Sequence, residues 1–175
     1  NISPSEIKVA KEEAELLNTR YKPDWKIMDA HKLEFEEGYF DIVIGYGMLH
    51  HLDLLNALSE VKRVLKKDGI AMFREPLDIN PILQLGRYLT PQARTEDEVP
   101  FKKIHLKQIE SLFPKREFIF EQFLTLFVSP LLNFIPNKFS KLIMKLSYGF
   151  DRFLLKIYPN TGYYFRSVFV MLQKD

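Results

Sequence analysis

Residues 38–52 most constrain what this chain can fold into. The stretch begins with a turn at Gly38 and continues into the β-branched run 42–44, which is too short and too tightly bounded to be a helix. Such a run predicts a strand that is buried on both faces. Gly45 and Gly47 follow at the end of this strand, where glycine lets the backbone approach a ligand. Open α/β sheets bind their ligands beyond the carboxyl ends of parallel strands, so the stretch predicts a binding crevice.

The rest of the chain alternates between helical and extended patterns. Asp53 is a predicted N-cap and begins a helix over residues 54–67. Further helices are predicted over residues 4–17, 82–89, 103–113 and 138–158, and further strands over 25–28, 70–73, 117–125 and 164–172. This order of elements predicts an α/β protein.

Composition excludes several classes of function. At 175 residues, 46% hydrophobic and 27% charged, the chain has the composition of one globular domain. A net charge of +2 gives no strong overall field, and we therefore predict no nucleic-acid partner. Cysteine is absent, which excludes disulfides and thiolate metal sites and fits a reducing, cytoplasmic compartment. The four histidines show no metal-binding spacing, so no metal site is predicted.

Three segments in order carry a resemblance to a known family: residues 40–43, the Leu-His-His-Leu sequence at 49–52, and residues 60–69. They resemble strand four, its following loop, helix D and the turn into strand five of class I S-adenosylmethionine-dependent methyltransferases of type 11. The resemblance implies a Rossmann-like three-layer αβα fold, with a mostly parallel sheet, an antiparallel last strand and a helical insert after strand five. It also implies S-adenosyl-L-methionine as the cofactor.

The resemblance covers the family only from the end of its strand two onward. The family's strand one is followed by a glycine-rich loop, and none of the seven glycines here forms such a loop. We therefore expect the N-terminal strands to be missing because the sequence is a piece of a longer chain, rather than a degenerate member.

Two groups of residues are implied to bind the adenosine part of the cofactor. Asn1 and Ile2 stand where strand two ends, and Asn1 replaces the acidic residue that holds the ribose hydroxyls, without its charge-assisted strength. Asp29 is expected to accept a hydrogen bond from the adenine amino group. Ala30 would donate its backbone N–H to the ring, with His31 adjacent. The alternative for Asp29 is a carboxylate that caps a turn.

A third group follows strand four. By the same resemblance, Gly45, Tyr46 and Gly47 are expected to line the methionine part of the cofactor. His50 and His51 come next, and either could take a proton from the methyl acceptor because histidine titrates near neutrality. The His-His-Leu sequence is shared by family members with different acceptors, so a structural role for both histidines stays open.

Residues 77–113 and 127–160 are predicted to be helical additions to a single, partial domain spanning 1–175, and to cover the acceptor side. Arg87 and Arg94 could bind an acidic acceptor there, or be ordinary surface arginines. The aromatic residues of these additions favour a small-molecule, lipid-like acceptor.

Residues 138–158 combine an apolar stripe with basic residues, a pattern that either lies on an anionic membrane surface or packs on its own domain. Two other functions stay open. One is a non-catalytic Rossmann-like binding module that uses the aromatic C-terminal part for a partner or membrane. The other, a nucleotide-dependent dehydrogenase, is disfavoured because the dinucleotide fingerprint is also missing. The pattern leaves the oligomeric state open.

Overall fold

The computed structural model describes residues 4–17, 22–93, 98–128, 131–132 and 135–175. Four strands are present in these residues: β1 (Phe40–Tyr46), β2 (Leu65–Pro76), β3 (Lys115–Glu121) and β4 (Ser167–Gln173). The helices are α1 (Pro4–Leu16), α2 (Leu54–Val64), α3 (Pro81–Leu89), α4 (Lys103–Leu112), α5 (Leu124–Val128) and α6 (Asn137–Ile157). Short 3-10 turns cover Leu49–His51, Pro91–Ala93 and Pro159–Tyr164.

The strands form one mixed sheet in the order β1-β2-β4-β3. β1 runs parallel to β2, with Ile44 opposite Met72. β4 lies antiparallel between β2 and β3. The predicted antiparallel last strand beside the strand at 70–73 is therefore confirmed. Because β1 and β2 are parallel, their carboxyl ends meet at the same edge of the sheet.

One face of the sheet forms the core. Asp53 caps α2 by accepting a hydrogen bond from the backbone N–H of Asn56 at 2.9 Å, as predicted. The buried side chains of α2 and α4 pack with alternate residues of β2 and β4: Ala57, Leu58, Val61, Leu106, Ile109, Ala71, Phe73, Val168, Val170 and Leu172. Each fully buried leucine or phenylalanine there stabilises the fold by roughly 1.5–3 kcal/mol.

The opposite face of β1 is open, which corrects the prediction that this strand is buried on both sides. Ile42 and Ile44 are 54% and 72% exposed, whereas Val43 between them packs against the core. Successive side chains of a strand point to opposite faces, so only Val43 reaches the layer that contains α2. Among the residues that the structure describes, β1 pairs with β2 alone.

Residues 25–28 do not form the predicted strand. A strand needs a neighbouring strand for its backbone hydrogen bonds, and the described part of the chain supplies none beside this segment. The loop that follows is attached to α2 instead. Arg63 donates hydrogen bonds to the carbonyl oxygens of Leu33 and Phe35, and Glu60 accepts one from the Leu33 N–H. This network positions the chain between α1 and β1.

Two predicted boundaries differ from the structure. α2 ends at Val64 rather than at residue 67, because Leu65 is fully buried in an extended conformation and pairs with Phe40. β3 covers Lys115–Glu121 rather than 117–125, because Gln122 has a positive φ of 67° that ends the strand. In both places packing or backbone conformation outweighs local sequence propensity.

The helical additions divide into two kinds. α4 buries Leu106 and Ile109 in the core and packs on α2, so this part of 77–113 is a layer of the domain rather than a cover. α3 buries none of its residues. α6 turns Ser147 and Asp151 inward and leaves most of its predicted apolar stripe exposed. Within the described ranges, no helix is long and apolar enough to cross a membrane.

Candidate cofactor and acceptor site

The buried carboxylate of Glu75 organises the edge of the sheet where β1 and β2 end. Glu75 lies near the end of β2 on the buried face and is 1% exposed. It accepts hydrogen bonds from the backbone N–H groups of Met48, Leu49 and His50 at 3.1, 3.0 and 3.3 Å. It also pairs with Nδ1 of His50 at 2.7 Å. The loop after β1 is thereby tied to the end of β2.

This pairing fixes the chemistry of His50. A carboxylate accepts hydrogen bonds, so Nδ1 of His50 carries the ring proton and donates a hydrogen bond to Glu75. In the neutral ring, Nε2 is then the nitrogen that can accept a proton. His50 is buried, and its ring lies 4.1 Å from that of His51, measured between centroids. The two predicted histidines are therefore adjacent, and Glu75 orients one of them.

Glu75 was missed as a site residue in the sequence, although one signal was available. It occupies the same face of β2 as Ala71 and Phe73, where an alternating strand should place an apolar side chain. A carboxylate at such a position requires hydrogen-bond partners, since burying a charge without them is costly.

The three residues after the β-branched run have different surroundings. Gly47 has a φ of +57°, and only a ring carbon of His50 lies within 4 Å of its missing side chain, so the space beside its Cα is open. Its backbone N–H donates a hydrogen bond to the Arg74 carbonyl oxygen at 2.9 Å. Tyr46 is 74% exposed and accepts a hydrogen bond from Arg74 at 2.8 Å. Gly45 differs from expectation. A Cβ there would meet Phe73 at 2.6 Å, so this glycine is required by packing rather than by space for a cofactor.

Asp29 and His31 lie beside the same loop. The Asp29 carboxylate accepts hydrogen bonds from the backbone N–H of His31 at 2.9 Å and from Nδ1 of its ring at 2.8 Å. Nε2 of His31 in turn accepts the backbone N–H of Asp53 at 3.0 Å, just before α2. His31 therefore connects Asp29 to the residues that follow His50 and His51. The turn-capping role left open for Asp29 is present, and its predicted adenine contact stays a prediction.

The backbone N–H of His31, followed by its ring, holds the pKa of the Asp29 carboxyl below its ordinary value of 3.8. Asp29 is an exposed acceptor with a negative charge at neutral pH. These are the properties that an exocyclic amino group of a ligand would require of its partner.

The other predicted residues are less directly placed. Asn1, Ile2 and Arg94 lie outside the described residues. Arg87 forms an ion pair with Asp78 and donates a hydrogen bond to the Leu77 carbonyl oxygen at 3.1 Å. An acidic acceptor would have to compete with Asp78 for this guanidinium.

Residues 98–102, just before α4, are hydrogen-bonded to His50 and to the end of β2. The Val99 N–H donates to the His50 carbonyl oxygen at 2.8 Å, and Phe101 exchanges backbone hydrogen bonds with the residues that follow Glu75. A cavity of about 270 Å³ lies between this segment and the loop, lined among others by Leu49, Leu52 and His105. Desolvation lowers the pKa of His105 below its ordinary value.

In the part of the chain that the structure describes, no three acidic or histidine side chains are grouped so as to hold a metal ion.

Replacing Glu75 with glutamine should lower the free energy of unfolding by about 2–3 kcal/mol, because a charged acceptor of four hydrogen bonds is lost in a buried place. The matched control is Glu121→Gln, which removes a partly exposed pair with Arg74 and should cost less than about 1 kcal/mol. Urea denaturation of the three proteins measures both effects. Equal costs would contradict the organising role of Glu75.

The pKa of Asp29 can be measured by carbon-13 NMR titration and should lie below 3.8. The hydrogen bonds that lower the pKa of Asp29 stabilise the turn fully above pH 3.8, the ordinary value. This contribution is lost as the pH falls through the lower pKa of the folded state. His31→Ala keeps the backbone donor and removes the ring, so the pKa should rise part of the way. An unchanged pKa in this variant would show that the ring contact has no effect.

The N-terminal part of the chain matches the model of a known family. Residues 1–73 match the family model described as a methyltransferase domain. This range includes Asp29, β1, the histidine loop, α2 and most of β2 as far as Phe73. No curated protein matches the chain in sequence.

Solved structures match over nearly the whole chain. The MccD protein is 20% identical, with a TM-score of 0.56, and the match covers 100% of this chain and 78% of that one. An S-adenosylmethionine-dependent methyltransferase from Archaeoglobus fulgidus is 17% identical, with a TM-score of 0.60 and coverages of 99% and 74%. The [4+2]-cyclase SpnF is 15% identical, with a TM-score of 0.57 and coverages of 99% and 64%.

These likenesses establish the fold of the chain as the Rossmann-like αβα fold of methyltransferases. The methyltransferase-domain match over residues 1–73 and the fold of the chain agree with the resemblance to class I S-adenosylmethionine-dependent methyltransferases that the sequence carries.

Proposed function

We propose that the protein transfers a methyl group from S-adenosyl-L-methionine to a small-molecule acceptor that has an apolar, lipid-like part. When bound, the cofactor supplies a methyl group on a sulfonium, and S-adenosylhomocysteine is the leaving group. The protein must hold the acceptor in line with that methyl group and exclude water, which lowers the barrier by several kcal/mol.

The residues at the edge of the sheet fit such a cofactor. Asp29 offers an exposed carboxylate that stays ionised at neutral pH, suited to the adenine amino group. Gly47 offers open space beside its Cα just after β1, suited to the methionine part. Asp29 is connected to the loop 48–53 through His31, and Gly47 directly precedes that loop. Gly45 is not included, because Phe73 and Met48 fill the space beside it.

His50 is the residue best arranged to take a proton from an oxygen or nitrogen acceptor. Its Nδ1–H is held by Glu75, which leaves Nε2 as the accepting nitrogen and places a carboxylate where the imidazolium would form. With the cofactor bound, Nε2 of His50 would take the proton that the acceptor atom loses on receiving the methyl group. A carboxylate behind a histidine base is a recurring arrangement, because it orients the ring and stabilises the protonated form.

The exposed apolar side chains of α3 support the proposed class of acceptor. α3 begins five residues after the end of β2, at the same edge as His50, and leaves its apolar side chains in solvent. Ile82, Leu85 and Leu89 lie along one side of the helix and Tyr88 lies next to them; all are exposed. Asn80 fixes the start of this helix by accepting the Ile82 N–H and donating to the Tyr164 carbonyl oxygen. An apolar face in a fixed position beside a reaction site suits an acceptor with an apolar part.

Binding of S-adenosylhomocysteine, measured by calorimetry on protein expressed from its complete reading frame, tests the cofactor assignment. Asp29→Ala should weaken binding by about 10–100-fold, because a charge-assisted hydrogen bond is lost. The control is Asp24→Ala, which removes an exposed carboxylate that is paired with Lys26 at 3.5 Å. Absence of binding to the folded wild-type protein would reject methyl transfer, and equal binding by both variants would reject the role of Asp29.

Acceptor selectivity can be tested with a series of hydroxylated and carboxylated compounds that differ in alkyl chain length. Leu85→Asp should lower the ratio of kcat/KM for long over short chains by roughly tenfold, since each buried methylene contributes about 0.8 kcal/mol. The control is Leu16→Asp on α1, which alters a leucine outside the site that is more exposed than Leu85. A ratio that is the same in both variants would contradict the role of α3.

A further inference from the structure

We propose that the outer face of α6 docks on the surface of an anionic lipid bilayer. The face has two parts, which we call the apolar stripe and the basic band. The apolar stripe consists of side chains that are 45–64% exposed, namely Phe139, Leu142, Leu146, Phe150, Phe153 and Ile157. The basic band consists of Lys141, Lys145, Arg152 and Lys156, which are also exposed.

The spacing of the apolar stripe makes it continuous. At about 100° per residue, its six side chains fall within about 80° of the helix circumference. They extend from the first turn of the helix to its last residue. Single exposed apolar residues are ordinary on a protein surface, but a contiguous row of large ones marks a contact with another apolar phase.

The stripe is held outward by the opposite side of the same helix. Asp151 is 3% exposed, and its carboxylate accepts hydrogen bonds from the backbone N–H groups of Phe123 and Leu124 at 3.1 and 2.7 Å. It also accepts the Thr125 hydroxyl at 2.9 Å. Leu154 and Leu155 pack against the hydrophobic core. Rotating α6 to bury the stripe would take Asp151 away from these partners and leave the backbone N–H groups of Phe123 and Leu124 without their acceptor.

The charges on α6 indicate which partner its apolar stripe contacts. Counted around the helix at about 100° per residue, the four residues of the basic band fall within about 60° beside the stripe. Asp151 is the only acidic residue in α6, and it faces inward. An interfacial helix on an anionic membrane has this pattern, with large apolar residues on one face and Lys and Arg on the polar side. A second copy of the chain fits less well, because antiparallel two-fold packing of the stripes would bring the like-charged bands together.

A neighbouring groove offers a place for lipid polar groups. It measures about 630 Å³ and is lined by Phe118, Phe120, Arg152, Phe153 and Lys156, among others. Its lining therefore joins the apolar stripe to the basic band at the C-terminal half of α6. Glu117 also lines the groove, so its two cations face one carboxylate. Apolar walls beside this net positive charge suit an acyl chain and its anionic headgroup. The inference is independent of methyl transfer, because no residue of the proposed site takes part in it.

Co-sedimentation with vesicles tests the inference. The probes are vesicles of phosphatidylcholine mixed with phosphatidylglycerol and vesicles of phosphatidylcholine alone. The wild-type protein should partition roughly tenfold or more strongly to the anionic vesicles, and the difference should shrink as salt is raised. The double variants Leu146→Glu with Phe153→Glu and Lys141→Glu with Lys145→Glu should each reduce this partitioning by about tenfold or more.

Two matched controls separate docking from general surface chemistry. Leu16→Glu changes a leucine on α1 that is 86% exposed, and Lys107→Glu reverses an exposed charge on α4. Both should partition like the wild type, and circular dichroism checks that every variant is folded. Equal binding to the two kinds of vesicle, or loss of binding in the controls as well, would overturn the proposal. So would self-association of the wild type that is lost in the stripe variant without any vesicle binding, since the stripe would then belong to a second copy.

Discussion

The buried carboxylate of Glu75 is the interaction on which the described site depends. Three successive backbone N–H groups, from Met48 to His50, have no partner within a helix or strand at this point, and Glu75 supplies the acceptor. The carboxylate in turn could not lie in the core without them. Each side therefore requires the other, and the result is a loop whose position relative to β2 is fixed. The orientation of His50 follows from the same pair. A local change at residue 75 should consequently disturb backbone, histidine and strand end together.

Apolar side chains of β1, α3 and α6 lie in solvent, and the charges around these three groups differ. The open face of β1 carries Ile42 and Ile44 beside Arg74, which is paired with Glu121. α3 presents its apolar side chains at the edge of the sheet, with its own arginine turned back to Asp78. α6 alone has a band of exposed basic residues beside its stripe. Because these surroundings are unlike one another, we propose different partners for the two helices, a small apolar acceptor for α3 and an anionic lipid surface for α6.

The sequence was informative where local chemistry decides the structure. The strand ending at Tyr46, the Asp53 cap and the extents of α3 and α6 depend on residue types at short spacing, and all were predicted within a few residues. The errors concern long-range partners. Residues 25–28 have strand propensity but no neighbouring strand among the described residues. The close packing of Phe73 beside Gly45 likewise depends on the neighbouring strand, and the predicted role of Gly45 at the cofactor stays a prediction. Glu75 could be recognised only once β2 was known to bury that face, since the role of a lone carboxylate depends on groups 25–27 residues away.

A fold of this kind hosts unrelated reactions, so the reaction has to be argued from the site. Methylation of an oxygen or nitrogen releases a proton, whereas a rearrangement that only shifts electron pairs within a substrate releases none. A histidine whose Nδ1–H is held by a buried carboxylate is an arrangement for accepting a proton at Nε2. A purely structural histidine in this place would need only one hydrogen bond to the loop, and an apolar ring would fill the same space without burying a carboxylate. The Glu75–His50 pair therefore favours a reaction that releases a proton, and methyl transfer to an oxygen or nitrogen acceptor meets that condition.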